Sequence, residues 1–117
     1  MAAPAFQTFG EFFPYYLAEH ANPTCRRLHY IGTTLGTAVA LAAVLTGTWW
    51  MLIFYPLIGY GFAWVGHFRF ERNRPATFDY PRWSLMGDYK MLWLYMTGRL
   101  DDHLHDAVKK YGKIAHA

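Results

Sequence analysis

The hydrophobic pattern changes period and density along this chain. Between Phe6 and His20, large apolar residues fall at Phe9, Phe12, Phe13, Tyr16 and Leu17, the rhythm of one helix face. Thr8 and Glu11 stand at capping-box spacing, and Pro14 either kinks this helix or marks its first turn. An aromatic face of this kind belongs to a core or to a lipid interface. Asn22-Pro23 then opens a second helix, because Asn caps free N–H groups and Pro suits the first helical position. From Leu28 to Phe68 the chain is apolar and carries no charge. One membrane span needs about 20 residues, so the run accommodates two spans and a turn. Thr46-Gly47-Thr48 supplies the turn, giving arms over 28–46 and 49–68.

The arms differ in kind. Gly32, Gly36, Ala40 and Ala43 recur near helical spacing in the first, and small residues let helices approach closely in lipid. The second is aromatic and carries Pro56, Gly59, Gly61 and Gly66, which lipid-embedded helices tolerate when neighbours satisfy the freed carbonyls. Residues 69–83 form a polar connector with two prolines. Pro81 starts a helix that runs to Thr97 and stops at Gly98, either a short span or a helix packed on the hairpin. A last amphipathic helix covers Leu100 to Ile114. Its acids Asp101, Asp102 and Asp106 come early, and its bases Lys109, Lys110 and Lys113 come late, as the helix dipole favours. The expected fold is all-α: one domain over 1–117, a small integral-membrane bundle of about five helices built on a two-helix hairpin.

Composition sharpens this picture. Charged residues make up 16% of the 117 residues and hydrophobic ones 54%, against roughly 25% charged in ordinary soluble domains. The net charge of +3 is too small, and has no basic stripe, for a nucleic-acid partner. A single cysteine, Cys25, excludes an intramolecular disulfide and a multi-cysteine zinc site. The N-terminus lacks a basic region and a cleavage site, so no cleaved signal peptide is expected. Arg26 and Arg27 precede the hairpin, and Arg69, Arg72 and Arg74 come after it. A hairpin places both clusters on one side, which the positive-inside rule makes cytoplasmic.

No nucleophile elbow or phosphate loop occurs, and the candidates for chemistry are the six histidines: 20, 29, 67, 103, 105 and 116. A lone histidine in an apolar setting is usually a hydrogen-bonded core residue. Several at the ends of apolar segments suit a metal instead, since imidazole binds iron, zinc, copper and nickel. His20 closes the first helix, and His29 lies about two turns into the second. The turn at Ala21-Asn22 can fold them together, and His67 returns to the same face at the end of the hairpin. Glu71, four residues on, can orient His67 or ligate. His103 and His105 point to different faces, so at most one enters a given site; His116 lies in the tail.

His20-x-Asn22-Pro23 with His29, then Gly66-His67-x3-Glu71-x2-Arg74-Pro75-Ala76, then His105-Asp106, resembles the 2-hydroxy-fatty-acid dioxygenase (Mpo-like) family over nearly the whole chain. The resemblance implies a membrane-embedded, iron(II)-dependent enzyme that uses O2 to shorten a long-chain 2-hydroxy fatty acid by one carbon. It implies His20, His29, His67 and His105 as the metal and catalytic residues. Glu71, Asn22, Arg26, Arg27 and Arg74 are candidates for supporting the ligands or receiving the substrate carboxylate; the arginines suit lipid phosphates equally. Two rivals stand beside this reading: a metal-free membrane module that binds lipid or a partner helix, and a zinc- or haem-binding membrane protein of other chemistry. The sequence is silent on oligomeric state.

Overall fold

A computed structural model describes residues 4–115, with side chains through residue 112. Among the described residues there are five α-helices and no strand: α1 (Phe9–Ala18), α2 (Pro23–Thr46), α3 (Phe54–Val65), α4 (Pro81–Met96) and α5 (Leu100–Ala115). His116 lies outside the described residues. The hairpin turn falls where expected. α2 ends at Thr46, and Gly47 adopts a left-handed φ of 69°, a conformation that costs glycine nothing.

The second arm is less regular and longer than its pattern indicates. It begins as a 3-10 helix over Trp49–Ile53, continues as α3, and ends as a π-helix over Gly66–Glu71. The helical path thus runs three residues past Phe68 into the stretch expected to be connector. Only Arg72 to Tyr80, with a 3-10 turn at Ala76–Phe78, separates it from α4. Small residues on α2 set the approach of the two arms. A Cβ on Gly32 would lie 2.8 Å from Phe62 Cβ, and one on Gly36 would lie 3.3 Å from the Tyr55 carbonyl oxygen.

α1 is shorter than 6–20, and its aromatic face is core rather than lipid-facing. Thr8 caps it by accepting from the Glu11 N–H at 3.1 Å, and Pro14 sits inside the helix. Phe12, Phe13, Tyr16 and Leu17 are buried with Met91 and Leu94 of α4 and Ala107 of α5. α4 is a 16-residue helix, short for a span. It packs on both arms: the Tyr89 hydroxyl meets Thr37 Oγ1 at 2.7 Å and the Tyr55 hydroxyl at 2.6 Å, while Tyr95 stacks on Tyr30.

The two arms, Pro23–Thr46 and Trp49–Glu71, are each long and apolar enough to cross a membrane, yet only 22% and 17% of their apolar windows are buried. A soluble core helix would be mostly enclosed. Here Leu41, Leu45, Trp49, Trp50, Ile53 and Leu57 stand exposed, more apolar surface than a soluble monomer normally presents.

Candidate metal centre

Three chain segments meet at the end of the hairpin opposite the turn. A 3-10 step, His20 N–H to the Leu17 carbonyl at 3.0 Å, closes α1 and carries His20 inward. Asn22 then starts α2 by accepting from the N–H groups of Thr24 (2.8 Å) and Cys25 (3.3 Å). His29, two turns along, faces back toward His20. Gly66 packs on α2 at Cys25, where any Cβ would come within 2.9 Å of Sγ. That close approach puts His67, the next residue, beside the other two. All three imidazoles are buried.

The rings converge through one type of atom. His20 Nε2 lies 3.0 Å from His29 Nε2 and 3.1 Å from His67 Nε2. Each Nδ1 faces an oxygen: the Tyr16 carbonyl at 2.5 Å for His20, the Cys25 carbonyl at 2.9 Å for His29, and Asn73 Oδ1 at 2.7 Å for His67. Carbonyl oxygens only accept. The Asn73 amide is oriented independently, because its Nδ2 donates to the Glu19 carbonyl (2.9 Å) and carboxylate (3.1 Å). Every Nδ1 therefore carries the proton, and every Nε2 presents a bare lone pair to the same point. Burial first, then the neighbouring His29 and His67, push the His20 imidazole well below its ordinary pKa, so it stays neutral, the form that binds metal.

Three lone pairs aimed at one another in a buried space repel unless a cation sits among them. The separations suit an ion. Two nitrogens bound at right angles to one metal at roughly 2.1 Å lie about 3.0 Å apart. Backing each ligating imidazole by an oxygen on its far nitrogen is the usual support of a metal site. Among the described residues, His20, His29 and His67 form the group of ligating side chains able to hold a metal ion.

The other candidates fall elsewhere. His105 does not join the three; it is exposed on α5, as is His103, and α5 packs against α1. Glu71 is buried but does not back His67. It accepts from the Asn22 N–H and so ties the end of the π-helix to the start of α2. Arg26 Nη1 donates to the carbonyls of His20 (2.9 Å) and Ala21 (2.8 Å), bracing the turn between α1 and α2. Arg27 is exposed, and Arg74 is exposed and pairs with Asp79.

Sequence reasoning passes over Asn73, which takes the place expected for Glu71. Its access depends on Arg72, whose left-handed φ of 57° ends the π-helix. The reversal brings the Asn73 N–H to the His67 carbonyl at 3.1 Å and its side chain to the His67 ring. Glu19 extends the chain of contacts by accepting from the Tyr15 hydroxyl at 2.9 Å. Tyr16 lies on the other side, its ring centroid 4.1 Å from that of His20 and its hydroxyl donating to Asp88 of α4.

A family model described as 2-hydroxy-palmitic acid dioxygenase Mpo1-like matches residues 6–100, which include His20, His29 and His67 and stop short of His105. No curated protein and no solved structure matches the chain. With most of its length matched, from before α1 to the start of α5, the chain belongs to the 2-hydroxy-palmitic acid dioxygenase Mpo1-like family.

Proposed function

We propose that this chain is an iron(II)-dependent membrane dioxygenase that converts a 2-hydroxy fatty acid to the fatty acid one carbon shorter. The observation that carries the reading is the convergence of three buried, neutral Nε2 atoms at the end of an exposed apolar hairpin, in a chain of this family. The reaction balances with O2 as the only oxidant. The C1–C2 bond breaks, C2 rises from alcohol to carboxyl, C1 leaves as CO2, and the four electrons released reduce O2, with one water formed.

His20, His29 and His67 are the proposed metal ligands. When bound, iron(II) supplies open positions and the electrons that activate O2. Three protein ligands would leave room at a bound ion for the substrate, whereas a fourth histidine would compete with it. His105 therefore has no ligand role in this reading. The Tyr16 and Cys25 carbonyls and Asn73 hold the rings in register by keeping the proton on Nδ1. Burial of all three imidazoles keeps bulk water from the reacting carbons. Arg26, fixed on the His20 and Ala21 carbonyls, is the cation placed to balance the substrate carboxylate. Asn22 and Glu71 hold the turn and the π-helix together, and Arg27 and Arg74 serve at the lipid headgroups.

The hairpin enters the bilayer from the site end. α2 has 24 residues, roughly 36 Å at helical rise, against a hydrocarbon core of about 30 Å. The histidines then lie near one membrane face, beside the arginines, on the cytoplasmic side by the positive-inside rule. A fatty acid dissolved in the bilayer presents its head group at that depth.

The test is anaerobic iron reconstitution of the full chain, incubation with 2-hydroxy-palmitate and O2, and mass spectrometry of the products. The C15 acid is expected from wild type and not from His67→Ala, which should also lose iron while staying helical. Equal iron content in the two proteins would favour the metal-free membrane module.

A further inference from the structure

The hairpin does not pack flush against α4. Between them lies a crevice of about 80 Å³, bounded by Gly32 of α2, Tyr55 and Gly59 of α3, and Leu85, Asp88 and Tyr89 of α4. Its walls are mostly apolar. Its rim carries Leu85, Tyr89 and Tyr60, all exposed on the apolar flank, so it opens toward lipid rather than toward the charged end of the molecule.

The inner end approaches the histidines from two directions. Gly32 is one turn beyond His29 on the same face of α2, the face that meets α3. Asp88 accepts from the Tyr16 hydroxyl, and the Tyr16 ring rests on His20. Tyr16 thus links the crevice wall at Asp88 to His20. Burial raises the Asp88 carboxyl to about 7, so it presents a largely uncharged wall in mildly acidic conditions and is about half ionised near neutrality.

We infer that this crevice receives the acyl chain of the substrate, entered sideways from the bilayer, with the carbons nearest the head group inside and the rest along the exposed apolar flank. The inference rests on the dioxygenase reading and adds where the chain lies. Its size decides how much is enclosed. At about 80 Å³ it takes only the carbons nearest the head group. A long chain cannot be enclosed; it is gripped close to C2 and left in lipid beyond.

Two glycines of α3 provide a matched test. A Cβ on Gly59 or on Gly61 meets nothing within 4 Å, so a larger side chain can start from either backbone without a clash at its first carbon. Gly59 lines the crevice, whereas Gly61, two residues on, lies on the opposite face beside Leu28 and Phe62. Full-length protein in nanodiscs is irradiated with a 2-hydroxy fatty acid carrying a diazirine at C5, and separately at C15, and the labelled peptides are mapped.

The C5 probe should label Tyr55, Leu85 or Tyr89 and be displaced by unlabelled 2-hydroxy-palmitate. The C15 probe should label exposed flank residues and lipid. Gly59→Leu should cut C5 labelling at least tenfold with iron content unchanged, and Gly61→Leu should leave it as in wild type. C5 label confined to the flank, or a loss with Gly61→Leu and not with Gly59→Leu, overturns the inference. An unlabelled crevice in a protein that forms the shortened acid refutes the crevice alone. A displaceable label there in a protein that forms no product supports the crevice and tells against the dioxygenase.

Discussion

Substituting Gly66 by alanine tests how the fold sets the metal centre. The added Cβ would stand 2.9 Å from Cys25 Sγ, 3.2 Å from Cys25 Cα and 3.3 Å from the Cys25 carbonyl oxygen. Carbon contacts ordinarily lie near 3.5–4.0 Å, so the π-helix and α2 must separate by roughly half an ångström. Overpacking of this order costs about 1–3 kcal/mol, while replacing glycine by alanine at a helical position returns about 1 kcal/mol. The net change in stability is about 0–2 kcal/mol, too small to be diagnostic. The metal centre is less forgiving, since ligand distances tolerate about 0.2 Å. The same Cβ also presses on the carbonyl that holds His29 Nδ1. We expect Gly66→Ala to stay folded and to lose about 10- to 100-fold in iron(II) affinity, the usual cost of disturbing a ligand's support. Anaerobic titration, with circular dichroism to verify helicity, measures this. The double variant with Cys25→Ala should recover only part of the affinity, because it removes the sulfur contact and leaves the two backbone contacts. Wild-type affinity in Gly66→Ala would refute the claim that this glycine positions His67.

The same geometry sets further outcomes. Asn73→Leu should lower metal affinity about 10- to 100-fold by removing the acceptor on His67 Nδ1, and unchanged affinity would show that the His67 ring is held without it. His105→Ala should leave iron content unchanged, and a loss there would return His105 to the ligand set. Leu35, exposed near the middle of α2, is proposed to face lipid, so Leu35→Lys should cost about 3–4 kcal/mol of insertion and deplete the membrane fraction, whereas a soluble bundle would accept it. The Asp88 carboxyl, raised by burial from 3.8 to about 7, holds more protons folded than unfolded between those values, so its contribution to stability falls as pH rises through that window. Unfolding midpoints of wild type minus Asp88→Asn should therefore decline from pH 4 to pH 8, and a flat difference would show that Asp88 is not held protonated.

The parts of this fold legible in the sequence are those set by local chemistry. Asn22-Pro23 opens a helix, Gly47 turns the chain, and the uncharged run between Arg27 and Arg69 is long and apolar enough for two membrane spans. His20, His29 and His67 can be placed together because a hairpin returns its second arm to its first. The hidden parts depend on contacts between distant segments. Nothing in Gly66-His67-Phe68 marks a π-helix, whose widened turn is fixed by packing on Cys25. Asn73 looks like a loop residue, since its role needs the left-handed Arg72. Helical spacing assigns Glu71 to His67, but that spacing holds for 3.6 residues per turn, and the π-helix breaks it. His105 draws attention through a dipeptide alone, and the packing of α5 on α1 leaves it exposed.

The spread of the three histidines along the chain bears on biogenesis. His20 and His29 leave the ribosome early, whereas His67 emerges only after both hydrophobic arms. In a bilayer, His29 and His67 come to the same face only if both arms have crossed. A chain with one arm stalled, or threaded once instead of twice, keeps its ligands on opposite sides of the lipid. If the three histidines hold a metal ion as proposed, its capture would favour the correctly threaded topology over the misthreaded one.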